Sequence, residues 1–288
     1  MKRIYCAGAL VFSLLLGVMR AADLFWNTDA ETGFLRSGSV ALRYAFMLFC
    51  TLLILLAGHS VPLGQPCGLR AENAPWMRSS NLLFIPLALC CELYGFLFLL
   101  NRVFGVPVRT HTSRHAMDHL RLYYLRQFAD GVHAALFVVF GIWCLFLFFE
   151  NLTRILHGQW MLTFGMLGST AFYLHTVLCF IERPSSLFRT VPVVHILSAL
   201  SGLLFVTALL RALYLPYSFH TARALCRSGL LSFFFCTCLA LPQAVWQFVL
   251  GGAALAPLIL AVGFGCLGLA GAACARCTAR VREWESPP

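Results

Sequence analysis

Three histidines recur at every fourth position of a basic segment, residues 109–128. His111, His115 and His119 would stack along one face of a helix, and imidazoles at that spacing can hold Zn²⁺. Three side chains of one straight helix do not converge on a single ion, and no glutamate stands between them as in the zinc-protease motif. A metal site is one hypothesis for this segment and a pH-sensing patch is another, and we expect no cofactor elsewhere in the chain.

The same segment is amphipathic when it is wound as a helix. Met117, Leu120, Tyr124 and Phe128 form one apolar stripe, and the basic side chains gather on the opposite side. This pattern is typical of a helix that lies in the membrane interface. We therefore predict an interfacial helix or loop over 109–128, with four arginines that contact anionic lipid headgroups: Arg109, Arg114, Arg121 and Arg126.

Ionisable residues inside apolar blocks are costly, and we treat each of them as a candidate functional residue. Glu92 lies near the middle of the stretch LALCCELYGF, and its predicted partner is Arg43 in the preceding block. Such a pair would serve equally well as a structural clamp or as part of a proton or ion path.

Two more histidines and two glutamines are polar candidates within apolar blocks. A short connection places His175 and His195 at similar depth, so they could form a proton relay or instead hydrogen-bond across helix interfaces. Gln243 and Gln247 stand one helical turn apart and could line a cavity or link helices.

The elements that position these residues are long apolar blocks. The 288 residues are 60% hydrophobic and 11% charged, with a mean hydropathy of +0.81, whereas soluble domains carry about 25% charged residues. A bilayer-spanning helix needs about 20 apolar residues, and eight blocks meet or approach that length. They are residues 4–19, 40–57, 82–100, 132–149, 160–181, 191–210, 229–250 and 253–273.

These blocks predict an all-α, polytopic transmembrane bundle that forms one integral membrane domain over residues 1–288. The blocks are continuous rather than alternating, which excludes membrane strands. The first block resembles a signal peptide, but Arg20 closes it and we expect a retained helix. The pair Gly251-Gly252 is the predicted turn between the last two blocks, and Pro242 is expected to kink the first of them.

The formal charge of +10 has a simple interpretation in this setting. Basic residues between apolar blocks anchor a protein against anionic lipid, so we expect the bilayer as a partner and no nucleic acid. The basic start and the arginine-rich tail favour cytoplasmic termini. The preference for arginine over lysine suits a GC-rich genome, and we expect the protein in the plasma membrane of a bacterium.

Function is bounded but not identified by these patterns. No Walker loop, GxSxG, HExxH or GxGxxG motif is present, so ATP-driven transport by this chain alone is not expected. Three hypotheses remain: a membrane sensor or accessory subunit that works with a membrane or cytosolic partner protein, a small-solute or proton-coupled transporter, and a membrane-embedded enzyme.

Overall fold

The computed structural model describes most of the apolar blocks and the connections closest to them. The described residues are 2–29, 33–59, 82–104, 120–153, 159–182, 190–214, 220–252 and 254–280. The three histidines of the predicted metal site or pH-sensing patch lie outside these ranges: His111, His115 and His119.

Eight helices account for nearly all of the described residues, and the only pairing of extended backbone among them is a bridge between Thr28 and Leu35. The all-α polytopic bundle predicted from the sequence is confirmed. The helices are α1 (Lys2–Asn27), α2 (Val40–His59), α3 (Phe84–Phe104), α4 (Leu120–Thr153), α5 (Gln159–Glu182), α6 (Thr190–Tyr214), α7 (Thr221–Val249) and α8 (Leu255–Arg280).

Each predicted block coincides with one of these helices. Within the part of the chain that is described, seven of the eight helices are long and apolar enough to cross a bilayer. The exception is α3, whose apolar portion Phe84–Leu100 is shorter. It nevertheless packs along α4 and α8 as the other helices do, with Gly95 against Val138 and Gly263 against Cys90.

Two helices are longer than the apolar blocks that predicted them. Helix α1 continues past Met19 to Asn27, so Arg20 and Asp23 are helical residues rather than loop residues. Helix α4 begins at Leu120, so residues 120–128 of the segment predicted to lie in the interface form a continuous helix with the fourth span. Residues 109–119 lie outside the described part, and their interfacial position stays a prediction.

The helices alternate in direction, and this alternation defines two ends of the bundle. At the end that we call the terminal end, Cys6 of α1 lies beside Cys226 of α7, and Arg227 meets His59 of α2 at 2.8 Å. At the opposite end, which we call the hairpin end, α1 ends and α2 begins, and Thr190 at the start of α6 contacts Arg20. The start of α1 and the end of α8 therefore both lie at the terminal end.

The centre of the bundle is formed by α7 and α8, whose backbones touch where they cross. A Cβ added at Gly229 would lie 2.4 Å from the carbonyl oxygen of Gly271, and one added at Gly271 would lie 2.6 Å from that of Gly229. A Cβ at Gly268 would meet the Thr237 hydroxyl at 2.3 Å. Small residues of the last helix thus serve close packing at Gly268 and Gly271.

Helix α7 contains a π-helical stretch, Phe233–Ala240, immediately before Pro242. Proline lacks the N–H that an α-helix needs and its ring collides with the carbonyl four residues earlier, so a widened turn before it relieves that collision. The distortion observed here is the π stretch, and the predicted kink at Pro242 stays a prediction. The expected turn follows α7, where Gly252 adopts a left-handed φ of +58° that glycine tolerates without strain.

Candidate functional site

A polar stripe runs along the last two turns of α1. Arg20, Asp23 and Asn27 are spaced three and four residues apart, which places their side chains on one face of the helix. Arg20 Nη1 lies 3.5 Å from Asp23 Oδ2, and the amide of Asn27 donates to Asp23 Oδ1 at 3.2 Å. The stripe faces the start of α2.

Arg43, in the first turn of α2, completes the cluster. Its Nε donates to Asp23 Oδ2 at 2.6 Å, its Nη2 donates to Asp23 Oδ1, and the same Nη2 donates to the carbonyl of Ser37 at 3.1 Å. The fork of the guanidinium and the two carboxylate oxygens match in geometry, which makes this a strong, charge-assisted pair. The predicted Arg43–Glu92 pair is wrong: the partner of Arg43 comes from the adjacent helix of the hairpin.

Arg20 is the most deeply buried charged side chain of the cluster, with 6% of its surface exposed. Its Nη2 donates to the hydroxyl of Thr190 at 2.9 Å and to Gln243 Oε1 at 3.4 Å, and Gln243 in turn donates to the carbonyl of Val191 at 2.9 Å. The cluster therefore connects α1 and α2 to α6 and α7. Gln243, predicted to line a cavity or link helices, links α6 and α7.

The cluster has donor capacity that no acceptor in the described residues uses. Arg20 Nε, Arg20 Nη1 and Arg43 Nη1 are buried and have no hydrogen-bond partner there. Two arginines face one aspartate, so one positive charge is left without a counter-charge within the cluster. Buried charges are normally paired and their N–H groups are normally satisfied, so this arrangement suits a further anionic group.

A cavity of about 410 Å³ opens beside these side chains, between α1 and α2. Its polar wall is formed by Arg20, Asp23 and Arg43, and the rest of its wall is largely apolar. Met19, Leu42 and Phe46 line the cavity and are exposed, and we call the gap between them its mouth. The apolar lining includes Leu16, Met19, Leu42, Phe46, Met47 and Leu239.

Glu92 lies apart from this cavity, against α4. A Cβ added at Gly141 would be 2.8 Å from Glu92 Oε1, so the carboxyl group occupies the space that a larger residue at position 141 would fill. Glu92 Oε1 is buried and has no hydrogen-bond partner among the described residues.

His175 is paired with His133, not with His195. His133 Nε2 and His175 Nδ1 are 3.0 Å apart, the two rings are stacked, and the Tyr94 hydroxyl lies 3.0 Å from His133 Nδ1. His175 Nε2 lies 3.7 Å from the Cys179 sulfur. His175 and His195 are therefore not paired with each other, and the alternative of hydrogen bonds across helix interfaces describes His175, whose partner His133 belongs to α4.

His195 meets Gln247 instead, with 3.3 Å between its Nε2 and the Gln247 amide oxygen. This contact links α6 to α7 near the hairpin end. The side chains of Arg121 and Arg126 belong to the part of α4 whose surroundings are not described, and Arg109 and Arg114 lie outside the described residues. The predicted headgroup contacts of these four arginines stay predictions.

Sequence reasoning missed three participants in these clusters. Arg20 and Asp23 lie beyond the end of the first predicted block at residue 19, although their spacing with Asn27 is that of one helical face. His133 stands just inside the fourth apolar block, and its position alone was a sufficient signal that it is an intramembrane ionisable residue.

The described residues contain no group of three or more histidine, cysteine or acidic side chains arranged to hold a metal ion. Comparisons with protein-family models, with curated proteins and with solved structures find no match to this chain. Its function therefore has to be argued from its own side chains.

Proposed function

We propose that this protein is a membrane-embedded receptor for an amphiphilic anion, acting as a sensor or accessory subunit beside a partner protein. The observation that supports the proposal is Arg20: a guanidinium that is 6% exposed, borders a cavity and keeps two N–H-bearing nitrogens without an acceptor in the described residues. A carboxylate or phosphate oxygen would satisfy those donors and balance the excess positive charge.

The apolar remainder of the cavity supports an amphiphile rather than a small inorganic ion. Ligand sites of comparable volume are mostly apolar and carry a few polar groups that fix orientation. Arg20 lies seven residues before the end of α1, or about 10 Å along the helix axis. Leu16 and Met47 line the cavity deeper still, where a hydrocarbon tail would pack.

The mouth of the cavity favours entry from the bilayer. Met19, Leu42 and Phe46 flank it, and each of these side chains is exposed on the outside of the bundle. An amphiphile whose tail already lies in the membrane would reach Arg20 without crossing water.

The distribution of the other polar residues favours binding over a continuous transport path. Arg43 pairs with Asp23, His175 with His133, and His195 with Gln247, while Glu92 lies against Gly141. These four candidates for a transport path thus belong to four separate neighbourhoods. We expect the receptor to work with a partner that is a membrane or cytosolic protein.

We also infer that the terminal end faces the cytoplasm of a bacterial cell. The sequence places Lys2, Arg3, Arg276 and Arg280 at or near that end, whereas the connection between α1 and α2 contains Asp29 and Glu31. Basic residues close to membrane spans are retained on the cytoplasmic side.

The test is binding of dodecyl phosphate to the full chain in phosphatidylcholine nanodiscs, followed by native mass spectrometry. Dodecanol and dodecyltrimethylammonium have the same tail and serve as neutral and cationic probes. We expect the phosphate to bind, and Arg20→Gln to weaken binding at least tenfold, because one lost charge-assisted contact is worth about 1.5–3 kcal/mol.

The matched control is Arg36→Gln. Arg36 lies in the connection between α1 and α2, but its side chain is 67% exposed and it pairs with Asp29 at 3.6 Å instead of bordering the cavity. Equal binding of all three probes, or equal weakening by Arg20→Gln and Arg36→Gln, would show that the cavity does not select an anion.

A further inference from the structure

Four side chains outside the cavity between α1 and α2 form an unbroken hydrogen-bonded series across three helices. The Tyr94 hydroxyl of α3 lies 3.0 Å from Nδ1 of His133, whose Nε2 lies 3.0 Å from Nδ1 of His175. The other nitrogen of His175 lies 3.7 Å from the sulfur of Cys179, one turn further along α5. Both ring nitrogens of each histidine are therefore engaged within the series.

The series runs from the middle of the bundle toward the hairpin end. Cys179 is three residues before the end of α5 at Glu182, whereas Tyr94 lies in the central part of α3. His133 is 3% exposed and Cys179 is partly exposed, so the outer end of the series is more accessible than its inner end.

Aromatic rings surround the two imidazoles. Phe137 packs edge-on against His133 with 4.8 Å between ring centroids, and Phe264 of α8 packs edge-on against His175 at 5.4 Å. Asp130, one turn before His133, is the nearest acidic residue along α4. Apolar walls keep the local dielectric low around this polar series, which strengthens its hydrogen bonds.

We infer that Tyr94, His133, His175 and Cys179 form a proton relay that delivers a proton from the hairpin end to His133. In the resting arrangement, the Cys179 thiol donates to His175 Nε2, His175 Nδ1–H donates to His133 Nε2, and His133 Nδ1–H donates to the Tyr94 oxygen. Neutral imidazole has one donor and one acceptor nitrogen, so this arrangement uses every ring nitrogen once.

Delivery consists of two coupled transfers. Cys179 passes its S–H proton to His175 Nε2 and is reprotonated by hydronium at the hairpin end, while His175 passes its Nδ1 proton to His133 Nε2. His175 is again neutral, with the proton now on its other nitrogen, and His133 has become an imidazolium that donates to both Tyr94 and His175. One proton has entered, one positive charge has appeared, and no other bond has changed.

The test is the exchange of the His133 ring between its imidazole and imidazolium forms. The full chain, labelled with ¹⁵N-histidine in nanodiscs, is placed in mildly acidic buffer, and the rate of this exchange is measured by ¹⁵N relaxation-dispersion NMR, with His133→Gln identifying the His133 signals. We expect exchange in the native protein despite the burial of His133. His175→Phe keeps a ring in the stack but removes both nitrogens, and should slow the exchange at least tenfold.

Substitutions at Cys179 are smaller changes that keep the relay testable if His175→Phe does not fold. Cys179→Ala should also slow the exchange, whereas Cys179→Ser, which keeps a donor and an acceptor, should restore part of it. His195→Phe is the matched control, because His195 bonds Gln247 and does not belong to the series. An exchange rate at His133 that is the same in His175→Phe, Cys179→Ala and the native protein would overturn the relay.

Discussion

Asp23 accepts hydrogen bonds from Arg43 and pairs with Arg20, and its carboxylate is the group that allows two arginines to lie close together between α1 and α2. Asp23→Asn keeps the size of the side chain but removes the negative charge. Removal of one member of a buried ion pair typically costs about 3–5 kcal/mol, because the remaining charge stays buried without compensation. We expect a fall of that order in the free energy of unfolding, measured by denaturant titration in mixed micelles.

Two further variants test this explanation. Asp29→Asn removes the carboxylate that pairs with Arg36, whose side chain is 67% exposed, and should change stability by no more than about 1 kcal/mol. Adding Arg20→Met to Asp23→Asn removes the stranded charge and should recover part of the loss. If the double variant is as unstable as the sum of its two single variants, the charges are not coupled.

The sequence identified residues that make polar contacts more reliably than it identified the partners of those residues. Arg43, His175, His195 and Gln243 all make polar contacts between or within helices, as their position in apolar blocks suggested. Their partners depend on the rotation of each helix about its axis, and uniformly apolar helices carry little information about that rotation.

At the scale of elements, the crossing of α7 and α8 depends on two glycines that face each other. Gly229→Ala places a methyl carbon 2.4 Å from a backbone oxygen of Gly271, and backbone cannot move aside as a flexible side chain can. Overpacking of this kind costs about 1–3 kcal/mol, so the variant should have a lower melting temperature in thermal unfolding followed by circular dichroism.

Gly8→Ala is the matched control for that substitution. An added Cβ at position 8 of α1 has nothing within 4 Å, and alanine is the better helix former, so thermal stability should be retained or raised. A Gly229→Ala protein as stable as the Gly8→Ala protein would mean that the two central helices can separate without cost.

The π stretch of α7 shows what an apolar pattern does not reveal. Phe233–Ala240 reads FFFCTCLA, which is apolar on nearly all sides, so no periodicity distinguishes a wide turn from an ordinary one. Pro242 was the available signal, and it indicates a distortion without specifying its form. The apolar pattern also does not predict where α1 ends, because the helix continues through a polar stripe that hydropathy assigns to a loop.

At the scale of the whole molecule, alternating helices separate the two ends of the bundle across a membrane. In a cysteine-free background, Ser37→Cys lies at the hairpin end and His220→Cys lies at the terminal end, and both positions are exposed. With cytoplasmic termini, a membrane-impermeant maleimide should label Ser37→Cys in intact cells and His220→Cys only after the cells are opened.

Two other patterns of labelling would be informative. The reverse pattern would place the termini outside and contradict the proposed orientation. Labelling of both positions in intact cells would contradict the alternation itself, and the position of α3, whose apolar portion is the shortest, would be the first to re-examine.

The fold class and the number of apolar blocks could be predicted because composition alone dictates a lipid solvent, and each block is close to the thickness of a bilayer. The arrangement of the helices could not be predicted in the same way. Lipid tails are as apolar as leucine, so burial does not choose neighbours in a membrane; close packing and polar contacts do. Those contacts join residues as far apart in the chain as Arg20 and Gln243.

If a ligand enters the α1–α2 cavity from the bilayer, as proposed, concentration has a different meaning for this site. Occupancy would then depend on the mole fraction of the ligand in the bilayer and not on its molarity in buffer. Doubling the lipid at constant protein should double the total ligand needed for half-saturation, while the ligand-to-lipid ratio at that point stays constant. A cell would then adjust the receptor by the composition of its own membrane.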